Sequence, residues 1–318
     1  MILTEKEKKD KKMAVTAALV KQLRETSGAG MMDCKKALEE TNADIDAAID
    51  WLRTKGLATA EKKSGRVASE GLVAIHVQGS SAAMIELNAE TDFVSRNDDF
   101  KFLASSLAIL ANDAENLDEL IALPFPNTQR TVKEEITHNI ATIGENMMLR
   151  RMKNIKVDKG AIVSYVHNAT AEGMGRIGVL VALESDLKID TLNDVGKKIA
   201  MHVAATKPVS LSVEDLDPSI VQREREVLIE QAKQSGKPQE IAEKMVEGRI
   251  RKFYQEVVLL EQTFVIDGES KVADVLKKTA DEAGGEIVLK EFSLFVLGDG
   301  IEKEETDFAA EVAAQLNK

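Results

Sequence analysis

Cysteine is nearly absent from this chain of 318 residues: Cys34 stands alone. A single thiol cannot form an intrachain disulfide, so the fold must be held by packing, as expected in a reducing compartment. Aromatic residues make up only 4%, with one Trp, which leaves little for a base-stacking surface. A surplus of positive charge is missing as well. The formal net charge is -12, which argues against an extended nucleic-acid-binding face, because phosphate contacts need clustered Lys and Arg. No apolar run approaches the ~18 residues of a membrane span. Residues 1–12 are lysine-rich and lack the apolar segment of a signal peptide, so they read as a solvated tail, and the expected location is the cytoplasm.

Histidine is scarce too. His76, His138, His167 and His202 have no second His or Cys at ligand spacing, so no metal site is expected. Gly173-Met174-Gly175-Arg176-Ile177-Gly178 matches a dinucleotide fingerprint by letter, but it leads into the strand-like Val179-Leu180-Val181-Ala182. The fingerprint works only where glycines follow a strand and open a helix. No phosphate-binding loop, cofactor site or catalytic residue is expected.

What is present is 44% hydrophobic and 30% charged residues, enough apolar mass for two or three domains. Val15, Leu19 and Leu23 form one helical stripe that breaks at Gly28 and Gly30. Cys34, Ala37 and Leu38 mark a second helix, with one of Met31 and Met32 left at the surface. Ile45, Ala48, Ile49 and Leu52 mark a third, capped at its start by Asn42 or Asp44 and at its end by Gly56. The three make a small bundle similar to a ubiquitin-associated domain, and residues 59–69 read as a charged linker.

Beyond it, a strand–turn–strand–helix order occurs twice: Leu72–Val77, Ala83–Leu87 and the Phe100 helix, then Ala161–Val166, Ile177–Leu183 and the Val195–Ala205 helix. This faint duplication predicts two related α+β subdomains. Between them a helix starting at Asn127 or Thr128 carries Val132, Ile136, Ile140 and Ile143, stops at Gly144, and leads into a strand over Met147–Val157. Two charged helices meeting at Ser235-Gly236-Lys237-Pro238 form an antiparallel hairpin with a narrow apolar seam. That hairpin reads either as a projecting arm for self-association or as a solvated pair packed on the body. After Gly298-Asp299-Gly300, a last amphipathic helix runs from Thr306 to Leu316 with Phe308 and Val312 on its apolar face.

The resulting class is α+β. The divisions are a tail (1–12), the three-helix module (13–67), a first core subdomain (68–157) and a second (158–210 with 259–297). The helical arm (211–258) and a C-terminal helical module (298–318) complete the chain. The focal stretch is Glu90-Thr91-Asp92-Phe93-Val94, a corner between strand and helix, with Asn97 or Asp98 as the helix cap. Phe93 and Val94 either tuck into the core or stand at a surface that the scaffold holds out.

Ser27-Gly28-Ala29-Gly30-Met31-Met32-Asp33-Cys34-Lys35-Lys36-Ala37-Leu38 and Glu90-Thr91-Asp92-Phe93-Val94 resemble the two signatures of bacterial elongation factor Ts. Ile199–Ala205, Ser235–Pro238, Ala242–Arg249 and Gly300–Val312 fit the same family, so the resemblance runs from Met13 to about Gln315. It implies guanine-nucleotide exchange on elongation factor Tu. Thr91, Asp92, Phe93 and Val94 would form a wedge beside that GTPase's Mg²⁺ and phosphate elements. Arg24, Met31, Met32, Ile143, His167, Phe308 and Val312 would be further contacts, and the helical arm would serve homodimerisation. Two departures stand out: residues 1–12 precede the family's usual start, and the loop 168–175 is longer than usual. The competing readings are an adaptor that binds ubiquitin-like partners through the three-helix module and a hydrolase using Asp92.

Overall fold

The computed structural model describes residues 14–234 and 238–302. The tail 1–12, the turn residues Ser235, Gly236 and Lys237, and the expected helix carrying Phe308 and Val312 lie outside the described residues.

Helices α1 (Ala17–Ser27), α2 (Met31–Glu40) and α3 (Ile45–Lys63) pack around Leu23, Cys34, Ala37, Leu38 and Ala48, the residues their apolar stripes select. Thr16 caps α1 and Asp44 caps α3, each accepting from a backbone N–H of the first turn. The expected stop at Gly56 does not occur: α3 runs on to Lys63, through half of the expected linker. Gly56 is buried inside the helix, where a Cβ would stand 3.6 Å from Ala141. Gly56 does not take the left-handed conformation of a C-cap glycine, so the helix continues through it and lies against Ala141.

Two antiparallel sheets follow. The first has the order β3-β2-β1-β5, from β1 (Glu70–Gln78), β2 (Ser81–Ala89), β3 (Met147–Lys156) and the short β5 (Met174–Gly175). The second has the order β4-β6-β7, from β4 (Gly160–His167), β6 (Ile177–Glu184) and β7 (Val288–Val296). Helices α4 (Asp98–Leu110), α5 (Leu117–Ala122) and α6 (Val132–Ile143) belong to the first unit; α7 (Ile189–Thr206) and α10 (Val272–Ala283) belong to the second. Strand alternation assigns the layers. Leu72, Ala74, Ile85 and Leu87 face α4 and α6, whereas Val73, Ala82 and Met84 meet Leu180, Ala182 and Phe295 of the other sheet. Val179, Val181 and Leu183 face α7 and α10. The strands β2 and β6 are therefore covered on both faces.

The repeated order of elements is matched in detail. Each unit places its second strand between the first and third. A register shift falls between Glu86 and Leu87 in one sheet and between Ala182 and Leu183 in the other. Part of the loop expected over 168–175 is strand: Met174 and Gly175 pair with Ala74 and Val73, so the chain crosses to the first sheet before entering β6. The glycines of the rejected fingerprint serve packing here. A Cβ on Gly178 would lie 2.6 Å from a Val73 methyl, and one on Gly175 would lie 2.6 Å from a Val166 methyl.

α6 begins later than expected, at Val132, because Thr131 and Glu134 form a capping box while Asn127 holds a left-handed turn. Between the second unit's strands, α8 (Pro218–Gln234) and α9 (Gln239–Val257) pair through Leu228, Ala232, Val246 and Ile250. At the base of this pair Val209 N–H donates to Val257 O at 2.7 Å and Leu259 N–H to Ser210 O at 2.9 Å.

Candidate functional site

The corner after β2 is rigid below and exposed at its tip. The β-ladder ends at Ala89, so the next backbone groups need other partners. Thr91 finds them in Glu145: its N–H donates to Oε2 at 2.9 Å and its hydroxyl to Oε1 at 2.7 Å. Glu90 accepts from the Asn146 N–H at 2.6 Å and pairs with Arg66 at 3.3 Å. Downstream, a short 3-10 turn, Val94–Arg96, leads to Asn97, whose side chain accepts from the N–H groups of Asp99 and Phe100 and caps α4. The Ser95 hydroxyl donates to Asp92 O at 2.6 Å, and Arg96 lies 3.9 Å from the Asp92 carboxylate.

On this frame Phe93 is 72% exposed, with Asp92 exposed beside it. The reading that places Phe93 in the core is overturned. Val94 behaves differently: it is 5% exposed and packs with Leu72, Phe100 and Leu103. Val94 therefore anchors the turn from below, because consecutive residues of a tight turn cannot both face the core. Ile143 is half-buried against the same core, two residues before Glu145.

A second surface lies on the three-helix bundle. Arg24, Met31 and Met32 line one groove together with Val15, Val20, Lys21 and Lys35, enclosing about 370 Å³. Both methionines are exposed, 60% and 75%, not one as expected. The first turn of α2 extends past the bundle core, which begins at Cys34. The groove joins flexible apolar side chains, which adapt to irregular surfaces, with three cations on its rim. The bundle is seated on α6 by an Arg53–Glu134 ion pair, by Lys63 donating to Gly144 O, and by the Gly56–Ala141 approach.

His167 lies on the second sheet, exposed at the end of β4, with Nδ1 2.9 Å from the Tyr165 hydroxyl. His202, by contrast, is fully buried. Its Nδ1 accepts from the Val265 N–H at 3.2 Å, so Nε2 carries the proton that Gln262 Oε1 accepts at 2.9 Å. Burial pushes its pKa below the ordinary value, while the Gln262 hydrogen bond opposes that shift.

The sequence offered no sign of Glu145, Asn146 and Arg66, since these contacts join residues 24 to 80 positions apart. A signal did exist for Glu86, a carboxylate on the inward parity of an apolar strand. It is fully buried and accepts from Asn88, Arg150, Arg151 and the Gly298 N–H. Burial alone would raise its pKa; the Gly298, Asn88 and Arg151 interactions outweigh this and hold it below the usual carboxylate value. Among the described residues no group of three or more His, Cys, Asp or Glu could hold a metal ion, and no helix is long and apolar enough to cross a membrane.

The family model described as Elongation factor TS matches residues 90–299, beginning at the corner itself. Elongation factor Ts of Gluconobacter oxydans is 58% identical over 301 residues, covering 94% of this chain and 97% of that protein. The proteins of the same name from Paramagnetospirillum magneticum and Rhodospirillum rubrum are each 57% identical, over 95% and 96% of this chain and 97% and 99% of their own lengths. With a corner that holds out a ring and a carboxylate, and relatives matched nearly end to end, the chain belongs to the elongation factor Ts family.

Proposed function

We propose that this protein is a guanine-nucleotide exchange factor of translation elongation, which binds GDP-loaded elongation factor Tu and expels GDP without making or breaking covalent bonds. The observation that carries this reading is the 72% exposure of Phe93 on a hydrogen-bonded corner. A large ring left in water is a reservoir of binding energy, about 1.5–3 kcal/mol when a partner buries it. Spent on a conformation of the GTPase that holds Mg²⁺ and phosphate poorly, that energy weakens GDP, and by linkage GDP weakens the factor equally. Asp92 adds negative charge beside the phosphates, and Thr91 holds the tip in register.

The groove formed by Arg24, Met31 and Met32 would grip the same GTPase, and Ile143 and His167 would extend the contact. Phe308 and Val312 belong to this proposal by family resemblance alone. The bundle is read as a module of the ubiquitin-associated type. The α8–α9 pair is read as a coiled-coil arm for homodimerisation, in keeping with exposed Val227, Ile229 and Ile241 on its outer faces. The domain limits proposed from the sequence, a cytoplasmic location, and the absence of nucleic-acid contact complete the reading.

The test is direct. Titrating the protein into elongation factor Tu loaded with fluorescent GDP should accelerate release catalytically, at substoichiometric amounts when excess GDP is present. A release rate independent of the added protein would overturn the proposal.

A further inference from the structure

We propose that Glu145 is a positioning residue for the Asp92–Phe93 tip, and that through its neighbours the last helix of the N-terminal bundle holds the same corner. This inference rests on the exchange reading above and deepens it. Glu145 accepts both the backbone N–H and the hydroxyl of Thr91, at 2.9 and 2.7 Å. Hydrogen bonds to a carboxylate are stronger than neutral ones, and two on one residue fix its orientation as well as its place. Thr91 is the last tethered residue before Asp92 and Phe93. Beyond them the chain is fixed again by buried Val94 and by the Arg96 N–H donating to Phe93 O at 3.1 Å. The tip is thus a short bridge between two anchors, one of which is supplied by a residue 54 positions away.

Glu145 is itself held. It follows Gly144, whose left-handed conformation (φ 93°) ends α6 and whose carbonyl accepts from Lys63 of α3. The next residue, Asn146, donates its side-chain amide to Arg66 O at 2.7 Å and its backbone N–H to Glu90 at 2.6 Å, while Arg66 pairs with Glu90. The end of α3 and the start of the tip therefore share one polar cluster. A partner engaged by the bundle groove and by Phe93 meets two surfaces in fixed relation, which lowers the ordering cost of binding.

Two readouts test this. In the free protein, Glu145→Ala should speed amide hydrogen exchange across residues 91–96 about tenfold, the loss expected for a charge-assisted hydrogen bond, with β2 and α4 unchanged. Thr91→Val should reproduce part of that effect. Glu145→Gln, which can accept from the N–H and donate to the hydroxyl, should restore protection. Unchanged protection at residues 91–96 in Glu145→Ala would overturn the proposal.

With fluorescent-GDP-loaded elongation factor Tu, Glu145→Ala should lower the maximal release rate about tenfold at an unchanged half-saturating concentration, and Glu145→Gln should recover it. Phe93→Ala is the control. If Phe93→Ala slows release and Glu145→Ala does not, the positioning role is refuted. If neither slows it, the exchange role of the tip fails, and hydrogen exchange still decides whether Glu145 orders residues 91–96.

Discussion

Phe93 and Val94 are neighbours with opposite fates, 72% and 5% exposed, and the difference is measurable. Val94→Ala removes two buried methyl groups from the core shared with Phe100 and should cost about 2 kcal/mol in urea melts. Phe93→Ala removes a ring that touches water and should change stability by less than about 0.5 kcal/mol. Reversed costs would exchange their roles. Alternation along the chain could not distinguish them, because a 3-10 turn follows neither the period of a strand nor that of an α-helix. The same limit applied to Met31 and Met32. Their apolar character was plain, but whether a neighbouring helix would cover the first turn of α2 depends on how the bundle closes.

At the scale of elements, the duplication was legible and its physical signature is sharper than the sequence pattern. Gly71 and Gly160 occupy equivalent positions at the starts of β1 and β4, with φ of 121° and 131°. A Cβ on either would approach the carbonyl oxygen of the paired strand, Leu87 O at 2.2 Å and Leu183 O at 2.0 Å. Both strain and collision fall on backbone that cannot move cheaply, so Gly71→Ala and Gly160→Ala should each destabilise by at least about 1–3 kcal/mol. Equal melts for wild type and either variant would show that the two strand entries tolerate a side chain. Helix starts and stops were legible where a capping residue spoke for itself, as at Asp44, Asn97 and Gly144. They were misread where tertiary packing ruled, as at Gly56, which lies against Ala141 instead of ending its helix. The crossing of residues 168–175 onto the first sheet depends on a partner strand about a hundred residues away, and no local pattern announces it.

Across the whole molecule, titratable groups wholly or partly withdrawn from water contribute to the response to acid. His202, and His138, whose pKa burial and then Arg130 lower, are held below the ordinary histidine value. The unfolded chain therefore takes up protons near pH 6.5 that the folded chain resists. Their contribution is complete above that value and is lost as pH falls through the folded pKa. Glu86 joins the first sheet to the segment after β7 through Arg150, Arg151 and Gly298. Its folded pKa is also lowered, so its contribution is present above about pH 4.5 and disappears below. Urea melts should show stability declining from pH 7 to 5 and again below 4.5, and His202→Gln should flatten only the first decline. Stability rising on acidification through either range would contradict these assignments.

The bundle and the corner are joined into one body by α3 resting on α6 and by the cluster around Glu145, so the proposed exchange would be a property of the assembled chain. Release of fluorescent GDP from elongation factor Tu, followed with the wild-type protein and with Phe93→Ala at equal folded concentration, probes this most directly. The wild type should accelerate release strongly, and the variant should lose at least about tenfold of that acceleration while melting as the wild type does. Equal acceleration by both proteins would show that the exposed ring does no work on the nucleotide.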